Sequence, residues 1–101
     1  MSIKLLPPVH PGEYLRAELL EPLGITPYAL AMKLDVPRTR IERLVREESG
    51  VTPDTALRLA RFFSMTPDFW MTMQALYDLT LAEMEADPSI SAIEPMIQPA
   101  A

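Results

Sequence analysis

Apolar residues recur along this chain at helical spacing. Leu15 and Leu19 lie four apart, with Leu20 beside them, and predict a first helix over about 12–20. Leu30, Ala31 and Leu34 predict a second over 27–34, and Ile41, Leu44 and Val45 a third over 37–46. Ala56, Leu57, Leu59, Ala60, Phe62 and Phe63 predict a fourth over 53–63 that supplies much of the core. Phe69, Trp70, Met73, Leu76, Tyr77, Leu81 and Met84 give the fifth, over 67–85, a broad apolar face. Pro22 and Gly24 are expected to end the first helix, and Asp87-Pro88 the fifth. Three helices open on the same pair of residues: Thr26-Pro27, Thr52-Pro53 and Thr66-Pro67. Threonine caps free backbone N–H groups, and proline suits the first helical position because it has no N–H to leave unpaired. The expected fold class is all-α. An extended arm (1–11) leads into a helical domain (12–86), and a proline-containing tail (87–101) is expected to be flexible or packed on a partner.

The second and third helices have the layout of a helix-turn-helix, at about 26–46. A small residue, Ala31, permits close approach of the next helix, Asp35-Val36 makes a tight turn, and the third helix has an apolar back and a polar front. The second helix of such a motif enters the DNA major groove. Arg38, Thr39 and Arg43 are the candidates for reading base edges, since arginine can bond guanine O6 and N7 together. Lys33, Arg40 and Arg46 are the candidates for phosphate contacts, which position the protein without reading sequence.

Charge at first argues against this, because the chain of 101 residues carries a net −5. Its distribution reverses the argument. Between Lys33 and Arg46 stand five bases and two acids, a net +3, whereas no base follows Arg61 and six acids do. A basic island on an acidic body suits a protein that meets phosphate with one face.

With those residues in place, the chain resembles the HigA-type (VapI-like) antitoxins of the XRE helix-turn-helix class. The resemblance covers roughly residues 8–82 and rests on PVHPGEYLRAELLEPLGIT, YALAMKLDVPRTRIERLV and GVTPDTALRLARFFSMTPDFWMTMQALYDL. It implies a five-helix, lambda-repressor-like fold and a homodimer that binds double-stranded operator DNA in its own promoter. It also implies a partner toxin of the HigB type, a small basic ribonuclease that cleaves mRNA on the ribosome, and no catalytic activity in the antitoxin. Three positions depart from the family pattern. Asp35 replaces a usual glycine at the turn, where aspartate tolerates the left-handed conformation. Pro27 replaces a glutamine that commonly contacts phosphate, leaving that contact to Tyr28 or a backbone N–H. Glu47 and Glu48 stand where relatives often carry glycine and a base, and weaken DNA binding if they face phosphate.

Other features favour bland readings. His10, the only histidine, is expected to cap or pack the first helix. Phe62-Phe63 and Phe69-Trp70 are expected in the core, with Trp70, Met71, Met73 and Met84 also available to a dimer or toxin surface. Glu83, Glu85 and Asp87 suit a basic toxin and a solvated helix end equally. Without cysteine there is no thiolate metal site, and no nucleophile–base pair or phosphate-binding glycine loop supports an enzyme. No cofactor is expected. The short apolar patch at the N-terminus and the absence of a long apolar run point to a cytoplasmic protein with no membrane partner. Two rival readings accompany the autorepressor: a toxin-binding module with weak DNA affinity, and a solitary XRE-type repressor without a toxin.

Overall fold

The computed structural model describes residues 8–97. It is all-helical over those residues. Helix α1 runs over 11–23, as Pro11–Tyr14, a π-helical segment Leu15–Leu20, and Glu21–Leu23. There follow α2 (Pro27–Leu34), α3 (Arg38–Val45), α4 (Pro53–Phe63), α5 (Pro67–Met84) and a single turn, α6 (Pro88–Ser91). The expected packing of Ile3 and Leu5 lies outside the described residues. Val9 is exposed.

The first helix is where the structure departs most from the sequence pattern. Pro22 does not end it. Proline has no N–H for the carbonyl four residues back, and its ring clashes with that carbonyl. The preceding turns are widened instead, and the Glu21 N–H bonds the Arg16 carbonyl, five residues back. The wider turn puts Leu15 and Leu20 together in the core and leaves Leu19 only partly buried. The helix ends at Gly24, which is left-handed with φ 68°. There the Ile25 N–H closes onto the Leu20 carbonyl at 3.0 Å.

The Thr-Pro starts behave as capping chemistry requires. Thr26, Thr52 and Thr66 accept from the N–H groups of Ala29 (3.1 Å), Thr55 (3.3 Å) and Phe69 (3.4 Å). The third helix starts one residue later than expected, with Pro37 as its extended N-cap.

Leu15, Leu30, Ile41, Leu44, Ala56, Leu59 and Trp70 are almost wholly buried and form the centre of one core. Trp70 meets the rings of Tyr14 and Phe69 edge-on, at 5.9 and 5.4 Å. One expectation about the core needs correction. On α4, Leu57 and Phe62 face outward. On α5 only Trp70 among the apolar side chains is buried, while Leu76, Leu79 and Met84 are exposed. The apolar positions of α5 therefore spread around the helix past the side that packs on the domain, which includes Trp70, Tyr77 and Thr80.

Candidate nucleic-acid interface

The α2–α3 pair is set by its turn. Asp35 is left-handed, with φ 58°, and the Val36 N–H bonds the Ala31 carbonyl at 3.1 Å. Ala31 is buried where the helices meet. Ile41, Leu44 and Val45 bury the back of α3. A helix turned inward on those positions must present the others outward. Thr39, Arg43 and Arg46 follow one another at i, i+4 and i+7, and all three are exposed. They form a stripe down the outer face of α3 and its C-cap.

The remaining candidates flank that stripe. On the α2 side, the Arg38 guanidinium lies 5.7 Å from the centre of the Tyr28 ring, and its Nε is 3.8 Å from Glu42 Oε2. On the α4 side, Arg40 pairs with Asp54 at 2.5 Å. Asp54 also takes Arg58 Nε at 3.0 Å, and Arg58 followed by Arg40 holds its carboxyl below the usual carboxylate range. Arg40 thus has a partner inside the protein that any phosphate must compete with. Lys33 is exposed at the end of α2.

The loop after α3 carries the two acids. Glu47 is left-handed, with φ 63°, and its carboxylate is 3.3 Å from Arg16 Nη2. Arg16 also donates from Nη1 to the Val45 carbonyl, at the end of α3. One arginine of α1 therefore satisfies a helix-end carbonyl and neutralises the neighbouring acid. Glu48 is exposed, and its N–H bonds the Arg43 carbonyl at 2.9 Å. Further on, Gln74 of α5 accepts from the Val51 N–H at 2.7 Å.

His10 has the capping role expected of it. Its Nδ1 accepts from the Gly12 N–H at 2.9 Å, and its ring meets Tyr77 edge-on at 4.8 Å. Burial lowers its pKa below 6.5, against the opposing pull of Glu47, Asp78 and Glu13. Next to it, a Cβ on Gly12 would lie 1.7 Å from the Leu44 carbonyl oxygen, so α1 touches the backbone of α3 directly.

A helix-turn-helix family, HTH_3, matches residues 17–70. Virulence-associated protein I of Dichelobacter nodosus is 47% identical over 91 residues, covering 90% of this chain and 83% of that protein. Antitoxin HigA-1 of Vibrio cholerae is 42% identical over 73 residues, covering 71% of this chain and 68% of that protein. The solved structure of Pseudomonas aeruginosa antitoxin HigA with the higBA promoter superposes with a TM-score of 0.85 at 41% identity, covering 89% of this chain and 99% of that one. The chain belongs to the HigA-type antitoxins of the XRE helix-turn-helix family.

In this HigA-type chain, long-range side-chain contacts hold the helix-turn-helix and the loop that follows it, and sequence reasoning missed them. Arg16, Gln74 and Arg58 lie on three different helices and act on backbone groups. Arg58 Nη1, for instance, bonds the Leu34 carbonyl at the end of α2, at 2.9 Å. No spacing rule links Arg16 to Val45. Gly12, against the Leu44 backbone, is a further such residue, and its one signal is a glycine inside a helix without a turn to explain it.

Proposed function

We propose that this protein is a dimeric transcriptional autorepressor and antitoxin, working in the cytoplasm. It binds double-stranded operator DNA through α3 and neutralises a HigB-type mRNA-cleaving toxin by direct binding. The observation that carries the DNA-binding reading is the exposed Thr39–Arg43–Arg46 stripe on a helix whose back is buried. Arg38, Thr39 and Arg43 read base edges. Lys33 and Arg46 contact phosphate, with Arg40 joining them when it leaves Asp54. The P. aeruginosa relative seen with its promoter supports this assignment. The Arg16–Glu47 pair also supports it, because the acid that argued for weak DNA affinity already has a cation beside it.

The dimer reading is supported by α5, whose Leu76 and Leu79 are about half exposed. A groove of about 550 Å³ on the same helix is lined by Thr66, Asp68, Phe69, Thr72, Met73 and Leu76, with no residue of α2 or α3. The toxin reading is supported by charge, since no base follows Arg61 and six acids do.

The test is a gel shift with the DNA upstream of the protein's own coding sequence, over a range of salt. Arg43→Ala is expected to change the preferred sequence. Arg46→Ala is expected to weaken binding to all sequences alike and to lower the salt slope by about one unit. No shift by the wild type at low salt would overturn the repressor reading. The antitoxin half is tested separately, by co-purification with the protein encoded alongside it.

A further inference from the structure

Arg38 is held on two sides by its own protein. The ring of Tyr28, second residue of α2, lies against the guanidinium of Arg38, first residue of α3. The distance of 5.7 Å is within cation–π range. Glu42, one turn further along α3, approaches Nε at 3.8 Å. Both restraints lie at the surface, with Tyr28 51% exposed and the Arg38 side chain 63% exposed. A cation–π contact uses the positive charge over the ring, whereas base recognition uses the N–H edge, so the two are compatible. With Nε turned toward Glu42, the terminal Nη pair is the edge left for a base.

We propose that Tyr28 is a specificity-determining residue that positions Arg38. Its ring face sets the direction of the guanidinium, so Tyr28 acts at the base pair that Arg38 reads. The proposal rests on the reading of α3 as a DNA-recognition helix. It replaces the role expected of Tyr28 from sequence, a phosphate contact. The physical gain is entropic. A free arginine side chain loses rotamer freedom when it docks on a base, and one already restrained over a ring has lost part of it.

The two roles differ in what they require of tyrosine. A positioning role needs the ring, and a phosphate contact needs the hydroxyl. The experiment is selection from a randomised duplex library with the full chain, followed by affinity measurements on the selected site and its single-base variants. Tyr28→Phe is expected to keep wild-type preference and salt slope. Tyr28→Ala and Tyr28→Leu are expected to lose discrimination by about two- to fivefold per half-site. The loss falls at the base pair affected by Arg38→Ala, with an unchanged salt slope. In the Arg38→Ala background, Tyr28→Ala is expected to add nothing.

A uniform loss of affinity and a lower salt slope in Tyr28→Phe would overturn the proposal in favour of a phosphate contact. Unchanged discrimination in both Tyr28→Ala and Tyr28→Leu, or an Arg38→Ala variant with wild-type preference, would overturn it while leaving the repressor reading intact. A wild-type pool with no enriched sequence would remove that reading, and the proposal with it.

Discussion

At the scale of single residues, two neighbours at the start of α1 have effects out of proportion to their size. Gly12 lies so close to the Leu44 carbonyl that a methyl group there has no room. The obstacle is backbone, which cannot rotate aside as a side chain can. Gly12→Ala is therefore expected to push α1 off α3 and to destabilise the protein by about 2 kcal/mol or more, read as a lower melting temperature. His10 supplies a pH dependence. Its pKa is lowered from 6.5 by burial, so unfolding takes up a proton once pH falls below about 6.5. Stability is then fully present above that pH and declines below it, until the folded pKa is passed. His10→Asn keeps a capping acceptor but cannot titrate. Melting curves between pH 7.5 and 5.5 are expected to be flatter for this variant than for the wild type.

At the scale of elements, the recognition helix is short and is held by others. It has eight residues, no side-chain cap at its start, and three buried positions. A helix of that length is unstable alone and depends on tertiary contacts. Arg16 supplies one of these at its C-terminal end, together with the pairing of Glu47. Arg16→Ala is expected to cost about 1 kcal/mol of stability, discounted because the side chain is partly exposed. It is also expected to leave Glu47 without its cation and so to weaken DNA binding. The double variant Arg16→Ala/Glu47→Ala separates the two effects. Affinity is expected to recover partly, while the unfolding midpoint stays low. Equal affinities for the single and double variants would show that Glu47 is not felt by DNA.

At the scale of the whole molecule, the notable feature is an incomplete burial. Helix α5 packs on the domain through Trp70, Tyr77 and Thr80, yet leaves Leu76, Leu79 and Met84 exposed. Isolated exposed leucines are ordinary, but several on one helix mark a contact surface. With that surface as a dimer interface, Leu76→Glu/Leu79→Glu is expected to yield a folded monomer by light scattering and to lose the steep operator binding of a dimer. A variant that remains dimeric would move the interface elsewhere.

What sequence alone determined was set by near neighbours in the chain. The Thr-Pro starts, the left-handed Asp35 and the inward row Ile41, Leu44 and Val45 all depend on residues a few positions apart, and period and capping chemistry suffice to read them. The basic island could be counted directly. The same rules misjudged α1, because Pro22 changed the period that they assume. They also misjudged Leu57 and Phe62 of α4, because an apolar residue does not tell whether anything packs against it. Only the tertiary structure decided that Arg16 serves Val45 and Glu47, 29 and 31 residues away. It likewise brought Arg40 to Asp54, Arg58 to the Leu34 carbonyl, and Gly12 to the Leu44 backbone. These contacts join residues of different elements, so they exist only once the helices have found their places.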